Sequence, residues 1–278
     1  MRATAARIGR AVAPAGAAPV TVSPEAGQTA VPSLSLVVPA FNEADRISET
    51  IRQAAVFLAE QPYATELIVV DDGSTDETER RAREAAAASP IVRVIAIPHG
   101  GKAAALRAGM LAARGEQIGF SDADLATPLG FLNDLRAALA EGAAVAIGSR
   151  QAAGSRRIGE PIHRHLMGRA FNAIVRATLL PGIHDTQCGF KLFDRAAAHD
   201  ILERAQLYRD RSEISGPRVT AFDVELLVIA RRRGYAIRSI PVTWSYGEGS
   251  KVRPLHDSLQ NLRDVAQVAA NSWLGRYR

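Results

Sequence analysis

The sequence predicts an α/β fold in which a mainly parallel central sheet is flanked by helices. Between Leu34 and Arg150, apolar runs of strand length alternate with segments whose apolar residues recur at helical spacing. Strands that alternate with helices form right-handed βαβ units, and these units build parallel sheets. A chain of 278 residues is long enough for one large domain of this kind.

Each predicted element follows from a short run of sequence. The strands are predicted within residues 34–43, 65–76, 91–98, 116–125 and 143–150, and the helices between them within 44–60, 77–88, 101–115 and 129–142. A further ordered segment is predicted at 186–194. A helix is predicted over 222–234, where Gly234 ends it, and a strand over 235–244. A last helix is predicted to begin at about Leu255.

Composition separates three parts of the chain. Residues 1–32 are rich in Ala and Pro and carry only Arg2, Arg7, Arg10 and Glu25 as charged residues. We expect this part to be a disordered tail, with a transit-like or membrane-touching basic arm as the alternative. A folded domain is predicted over 33–254 and a C-terminal amphipathic helix over 255–278.

Charge and cysteine content exclude several kinds of protein. The formal net charge of +5 is too modest to indicate a general nucleic-acid binder. The single cysteine, Cys188, excludes an intrachain disulfide framework and a cysteine-only zinc site, and it fits a reducing, cytoplasmic setting. No stretch approaches the ~18 uncharged apolar residues that span a bilayer, so we expect a protein that works in water or at a membrane surface.

Polar residues follow the predicted strands at their carboxyl ends, where open α/β sheets bind their ligands. We therefore expect these residues to face one crevice. They are Asn42, Glu43, Asp71, Asp72, His99–Lys102, Asp122–Asp124, Ser149 and Arg150.

Asp122 and Asp124 are the candidate metal ligands. They follow the fourth strand, where a turn can bring one carboxylate onto a metal and leave the other near a sugar or ribose. Hard oxygen ligands suit Mg²⁺ or Mn²⁺, which would bridge diphosphate oxygens and neutralise the charge of a leaving group. The alternative is that these acids merely cap the next helix.

Two other strand ends indicate a nucleotide. One carboxylate of the Asp71–Asp72 pair can accept hydrogen bonds from a base N–H or from ribose hydroxyls, while the residues that follow are typical helix caps. The His99–Lys102 run opens a helix with two glycines and a cation, which suits an anionic ligand. A simple turn fits the same run equally well.

Residues 151–183 form a basic segment in which five arginines are opposed only by Glu160. Those arginines are Arg156, Arg157, Arg164, Arg169 and Arg176. Apolar residues recur at helical spacing between Leu166 and Leu179. We expect either a helix that packs on the sheet or a basic amphipathic helix on a membrane surface, near an anionic acceptor.

Seven motifs in a fixed order carry a resemblance to a known family. "VVPAFNE", "VVDDGSTD", "GGKAAALRAG", "SDADLATP", "GSR", "DTQCGFKLFD" and "FDVELL" resemble those of the dolichyl- and polyprenyl-phosphate hexosyltransferases, which belong to the inverting glycosyltransferase family 2 with the GT-A fold. The match runs from about Leu34 to Arg253. "DTQCGFK", "FDVELL" and Trp244 followed by "GSKV" point more narrowly to the dolichyl-phosphate β-glucosyltransferase branch.

The resemblance implies roles for individual residues. On the donor side it assigns Pro39, Ala40, Asn42 and Glu43 to the first nucleotide-binding loop, Asp71 or Asp72 to the uracil, Lys102 to the vicinity of base and ribose, and Asp122 and Asp124 to the metal. It assigns Arg150 and Lys251 to the phosphates, with Arg253 as a weaker candidate, and Asp185 and Gln187 to the acceptor-side motif.

One position departs from part of the family. The mannosyltransferase relatives have a glutamine, a further metal ligand, two residues after the second acid of the pair, where this chain has Ala126. The departure argues against the mannosyl branch. It leaves metal coordination to Asp124, the diphosphate and water.

The resemblance implies inverting transfer of a hexose, glucose from UDP-glucose in the first place, to a polyprenyl or dolichyl phosphate. Asp185 and Asp223 are the candidates for a catalytic or acceptor-positioning acid, and Arg156 and Arg164 would hold the acceptor phosphate. We expect a cytoplasmic protein, peripheral at the inner face of an anionic membrane, with no nucleic-acid partner; the oligomeric state stays open. The alternatives are another nucleotide sugar (GalNAc or mannose), a soluble or protein hydroxyl acceptor, or a non-enzymatic nucleotide-sugar-binding subunit.

Overall fold

An eight-stranded sheet lies at the centre of the protein. The computed structural model describes residues 21–22, 31–207, 221–247 and 254–278. The strands of the sheet are β1 (Thr21–Val22), β2 (Leu34–Ala40), β3 (Thr65–Asp71), β4 (Val92–Ala96), β5 (Gln117–Ser121), β6 (Val145–Ser149), β8 (Phe190–Asp194) and β9 (Ile237–Pro241). Two short strands, β7 (Arg156–Ile158) and β10 (Thr243–Ser245), pair in parallel as a second sheet.

The large sheet is mainly parallel, as the sequence predicts. Its strand order is β1-β4-β3-β2-β5-β8-β6-β9. The pairs β2–β3, β2–β5, β3–β4 and β6–β9 are parallel, whereas β8 runs antiparallel between β5 and β6 and β1 runs antiparallel to β4. The carboxyl ends of the parallel strands therefore share one edge, and the segment before β8 reaches the same edge from the opposite direction.

Helices cover both faces of the sheet. They are α1 (Ile47–Ala59), α2 (Thr78–Ala86), α3 (Lys102–Ala112), α4 (Phe131–Ala140), α5 (Ile162–Thr178), α6 (Arg195–Arg204), α7 (Phe222–Arg232) and α8 (Pro254–Trp273). Alternate residues of a strand point to opposite faces, so Val37 packs in one apolar cluster while Leu36 and Val38 pack in the other. Burial on both faces explains why the strands are continuous apolar runs.

The structure differs from the sequence prediction at several elements, among them β7, which was not predicted. The predicted strand over 235–244 is two strands: β9 ends at Pro241 in the large sheet, and β10 pairs with β7 in the second sheet. Helix α6 was not predicted, although Asp194 caps it by accepting a hydrogen bond from the backbone N–H of Ala196 at 2.9 Å. The helix that the sequence predicts from about Leu255 begins at Pro254.

Helix α5 has apolar residues on two faces. Val175 is buried, and Phe171 and Leu179 pack against the same cluster, so the apolar face predicted between Leu166 and Leu179 is partly an inward face. Ile162 is 78% exposed and Leu166 is 60% exposed on the outer side. The helix therefore packs on the domain and still presents apolar side chains to its surroundings.

Several predictions lie partly or wholly outside the described residues. Of the predicted tail, Thr21 and Val22 form β1. The division of the chain into a tail (1–32), a folded domain (33–254) and a C-terminal helix (255–278) stays a prediction. Lys251 and Arg253 fall in a range that is not described. The described helices include none that combines the length and the apolar character needed to span a membrane.

Candidate active site

Hydrogen bonds join the loop that follows β2 to the loop that follows β3. Asn42, with a φ of 53°, accepts a hydrogen bond from the Thr75 N–H at 2.8 Å and donates its own backbone N–H to the Ser74 hydroxyl at 2.9 Å. The N–H of Glu43 donates to the Thr78 hydroxyl at 2.7 Å. These bonds tie the two loops into one wall of the crevice.

The other residues predicted for this loop act through the backbone or through neighbours. Pro39 and Ala40 are buried within β2, and the Ala40 carbonyl accepts from the Asp72 N–H at 2.9 Å. The Glu43 carboxylate pairs with Arg46 at 3.0 Å. The structure thus places Pro39 and Ala40 in the framework of the wall.

The adjacent acids Asp71 and Asp72 have different surroundings. Both oxygens of Asp72 are occupied: Oδ1 accepts from the Gly100 N–H at 2.9 Å, and Oδ2 accepts from the Gly101 N–H at 2.8 Å and lies 2.8 Å from His99 Nδ1. Asp72 therefore holds the loop before α3.

One carboxylate oxygen of Asp71 accepts no hydrogen bond from the described residues. Its Oδ2 accepts from the Ser74 N–H at 3.1 Å, whereas its buried Oδ1 has no hydrogen-bond partner within the described chain. Burial raises the pKa of Asp71. A buried oxygen in this state costs free energy unless a ligand donates to it, so Asp71, not Asp72, has the geometry to receive a base N–H.

The candidate metal ligands lie beyond the end of β5, so the alternation of a strand no longer separates them. The turn passes through Leu125, a non-glycine residue with a φ of 46°. Asp124 is exposed, and its Oδ1 accepts from the Ala126 N–H at 3.0 Å. Although part of Asp124 faces solvent, the surrounding protein removes some of its hydration, and this desolvation, together with the negative charge of Asp122, raises the pKa of Asp124.

Repulsion between these two carboxylates is what a divalent cation would relieve, so the residues present fit a metal. Within the described ranges no group of three or more His, Cys, Asp or Glu residues is arranged to hold a metal ion. The protein would contribute the two acids, and a diphosphate would have to complete the oxygen ligands.

Lys102 and Gly189 fix the position of Asp122. Lys102 Nζ lies 2.5 Å from Asp122 Oδ1, an ion pair that the sequence did not predict. Although burial opposes its charge, the carboxylates of Asp122 and Asp223 raise the pKa of Lys102. A Cβ on Gly189 would lie 1.9 Å from Asp122 Oδ2, so a residue with a side chain at this position would displace the carboxylate.

Arg150 and Asp185 form a buried pair. Asp185 is fully buried; its Oδ2 accepts from the backbone N–H and Nε of Arg150, both at 2.8 Å, and its Oδ1 accepts from Nη2 at 2.9 Å. Burial opposes ionisation of Asp185, but the Arg150 guanidinium lowers its pKa to about 2. The Gln187 N–H adds a weaker bond to Oδ1 at 3.3 Å. This geometry suits positioning of Arg150 and does not suit a general base.

The other candidate acid, Asp223, lies at the start of α7. Its Oδ1 accepts from Lys191 Nζ at 2.6 Å, and the same ammonium donates to the Cys188 carbonyl at 2.6 Å. Lys191 is fully buried in β8. Sequence reasoning missed it, although a lysine inside the apolar run "GFKLF" is a signal for a buried ion pair.

The second sheet brings the side chain of Trp244 to the crevice. Trp244 in β10 lines a cavity with Ser121, Asp122, Ala126, Thr127 and Gly189. The Arg164 guanidinium carbon lies 5.2 Å from the centre of the Tyr246 ring, while Arg156 in β7 is exposed. Trp244 contributed to the family resemblance but was not predicted as a site residue.

Comparison with known proteins agrees with this geometry. Residues 35–202 match the model of the family "Glycosyl transferase family 2". The chain is 35% identical over 260 residues to the dolichyl-phosphate beta-glucosyltransferase of Homo sapiens, covering 88% of this chain and 77% of that protein. It is 33% identical over 266 residues to the protein of the same name from Saccharomyces cerevisiae, with coverage of 88% and 76%.

Solved structures share the fold. Glucosyl-3-phosphoglycerate synthase from Mycobacterium tuberculosis, in complex with UDP, superposes with a TM-score of 0.60 at 23% identity, covering 86% of this chain and 80% of that one. The same enzyme with Mg²⁺ and UDP gives a TM-score of 0.59 at 23% identity and the same coverage. The predicted GT-A fold and family are confirmed: the chain belongs to glycosyl transferase family 2 and is a glycosyltransferase.

Proposed function

We propose that the protein transfers glucose from UDP-glucose to a polyprenyl or dolichyl phosphate with inversion at the sugar. The observation that carries this proposal is the immobilised arginine on the acceptor side. Asp185 engages Arg150 through Nε and Nη2, and no hydrogen bond to Nη1 is formed among the described residues. A guanidinium has five N–H donors, so donors remain for a phosphate. The names of the relatives support the same acceptor.

A phosphate acceptor also fits the acids that are present. Its oxygen is largely ionised near neutrality, so transfer needs little help from a base. Asp185, with a pKa of about 2 and its oxygens bonded to Arg150, is not equipped to remove a proton. We therefore assign Asp185 the positioning of Arg150, with Gln187, Arg156 and Arg164 as further residues on the acceptor side.

The donor half of the site follows from the acids at the other strand ends. Asp71 would receive the uracil N–H, and Asp122 and Asp124 would hold Mg²⁺ or Mn²⁺. The metal, when bound, neutralises charge on the leaving diphosphate. Lys102 keeps Asp122 in place and adds a second positive charge beside it.

A hydroxyl acceptor, soluble or on a protein, is the second candidate. Asp223 favours it, because Lys191 bonds only its Oδ1 and no hydrogen bond to its Oδ2 is formed among the described residues, so that this oxygen could serve as the base that an alcohol requires. Other nucleotide sugars would use the same metal-binding acids.

The outer face of α5 is where we propose contact with an anionic membrane, at its cytoplasmic side. Ile162, Leu166 and Ile174 are exposed on this helix. Arg169 and Arg176 are exposed as well, and the helix has no acidic residue. Apolar side chains flanked by arginines suit the boundary between acyl chains and negative headgroups.

Acceptor, lipid charge and salt are tested together in one experiment. The full chain is given UDP-glucose, Mn²⁺ and either polyprenyl phosphate or the matching polyprenol in liposomes. We expect product from the phosphate but not from the alcohol, and faster turnover on anionic than on neutral liposomes at low salt only. Equal turnover of the alcohol would replace the lead proposal by the second candidate. Equal rates on both liposomes would remove the membrane contact.

Removal of the Asp71 carboxylate should weaken UDP binding. Asp71→Ala removes the buried acceptor proposed for the uracil, and the loss of one such bond corresponds to about 1–3 kcal/mol, or roughly 5- to 150-fold in affinity. Titration calorimetry with UDP and Mn²⁺ measures it. The matched comparison uses pyrophosphate, whose affinity should not change because it has no base. An unchanged affinity for UDP would take Asp71 out of the site.

A further inference from the structure

Trp244 lies between the donor and acceptor halves of the crevice. On one side it lines the cavity that contains Asp122 and Gly189. On the other side the guanidinium carbon of Arg150 lies 5.4 Å from the centre of its ring. In a glycosyl transfer the sugar must lie between the diphosphate that it leaves and the acceptor that it joins. Trp244 lies beside residues assigned to both.

The backbone holds this tryptophan in place. Strand β10 pairs Trp244 with Arg157 of β7, and the N–H of the next residue, Ser245, donates to the Ala126 carbonyl at 2.9 Å. That bond connects the strand directly to the loop after Asp124. The Trp244 and Tyr246 rings are 6.0 Å apart at 57°.

Its side chain is held from one more direction. Arg150 cannot easily move away from the Trp244 ring because Asp185 holds its guanidinium at two nitrogens. The indole therefore forms a wall of the crevice between Asp122 and Arg150.

We propose that Trp244 is the surface on which the transferred hexose packs, and that it contributes to selection of the donor sugar. This inference rests on the proposed transfer from a nucleotide sugar. The face of an aromatic ring is electron-rich, and the C–H groups of a pyranose carry a small positive charge. A hexose with equatorial hydroxyls presents such C–H groups on both of its faces. The wall would hold the sugar and would not contact the nucleotide.

The test separates sugar from nucleotide. Affinities of the full chain for UDP-glucose and for UDP are measured by calorimetry with Mn²⁺, in the wild type and in the Trp244→Ala and Trp244→Phe variants. Trp244→Ala should weaken UDP-glucose about tenfold, in the upper range for an aromatic contact, and leave UDP within about twofold. Trp244→Phe, which retains an aromatic face, should recover most of the loss.

The other tryptophan supplies a matched control. Trp273 is 94% exposed on the last turn of α8, and the sequence contains two tryptophans. Trp273→Ala should leave both affinities unchanged. It also makes Trp244 the single tryptophan, so that UDP-glucose should alter the fluorescence of this variant more than UDP does.

Each outcome has one meaning. Equal weakening of UDP and UDP-glucose in Trp244→Ala would show a general structural role, and unchanged UDP-glucose affinity would show no contact; either result overturns the inference. If the wild type prefers another nucleotide sugar, the same ratio is measured with that sugar and its nucleotide. UDP-glucose would then be wrong as the donor, but the role of Trp244 would still be tested by comparing the affinity for that nucleotide sugar with the affinity for its nucleotide.

Discussion

Replacement of Asp124 by asparagine is expected to reduce transfer by a factor on the order of 10³, because a metal that neutralises a leaving diphosphate contributes several kcal/mol to the barrier. The amide is a poor ligand for a hard cation, and its lower charge also weakens attraction of the metal. The fold should be unaffected. Asp124 is exposed, and an asparagine Oδ1 can still accept from the Ala126 N–H. Initial rates with Mg²⁺ or Mn²⁺, and melting curves of both proteins, measure the two effects.

Asp194→Asn is the matched control for this experiment. Asp194 is exposed at the end of β8 that pairs with Gln117, at the opposite edge of the sheet from the site. Asparagine caps a helix about as well as aspartate does, so this variant should keep both activity and stability. Full activity of the Asp124 variant, or of the wild type in excess chelator, would show that the acids do not hold a required metal.

The sequence was sufficient to predict the sheet and the positions of most polar residues at its edge. Runs such as Leu34–Ala40, in which Ser35 is the one polar residue, are mostly apolar because helices cover both faces, and this pattern can be recognised in a single sequence. Acids at strand ends stand out because nothing in the packing of a strand calls for them. Asp71, Asp72, Asp122 and Asp124 were all found in this way.

The local sequence does not show that these acids differ in their hydrogen-bond partners. Asp72 is occupied by loop N–H groups that come from after β4, whereas Asp71 Oδ1 is left without a partner among the described residues. Similarly, the ion pair of Lys102 with Asp122 and that of Lys191 with Asp223 join residues that are distant in the chain. Only the folded arrangement decides such pairings.

The antiparallel strand β8 explains much of what was missed. Its insertion between β5 and β6 brings Gly189 against Asp122 and Lys191 toward Asp223. Trp244 reaches the site because β9 ends at Pro241 and the chain continues as β10 in the separate small sheet. A pattern of apolar residues predicts that a strand exists, but it does not specify the neighbour with which the strand pairs.

Asp185→Ala is expected to lower the free energy of unfolding by about 3–5 kcal/mol, since it leaves the Arg150 guanidinium without its buried partner. A surface pair offers the contrast. Glu141 and Arg238 are both largely exposed, and Glu141→Ala should cost no more than about 1 kcal/mol. Urea unfolding of the three proteins measures the difference. A loss for Asp185→Ala as small as that for Glu141→Ala would contradict the importance of the buried pair.

The same pair gives stability a defined dependence on pH. The pKa of Asp185 is about 2 in the folded protein, below the value of about 3.9 expected when it is unfolded. A depressed pKa means that the stabilisation is complete above about pH 4 and is lost as the pH falls toward 2. The stability difference between wild type and Asp185→Asn should therefore shrink over this interval. It should stay constant between pH 5 and 8.

Kinetics of Asp185→Asn decide between positioning and base catalysis. An asparagine can still accept one hydrogen bond from Arg150, but it has no negative charge to attract the guanidinium. A positioning role therefore predicts a higher KM for polyprenyl phosphate, a smaller change in kcat, and an unchanged KM for UDP-glucose. A base would instead show a large fall in kcat, on the order of 10²–10⁴, with both KM values preserved. We expect the first pattern, because the carboxylate that a base needs is already bonded to Arg150, the arginine that we propose for the acceptor phosphate.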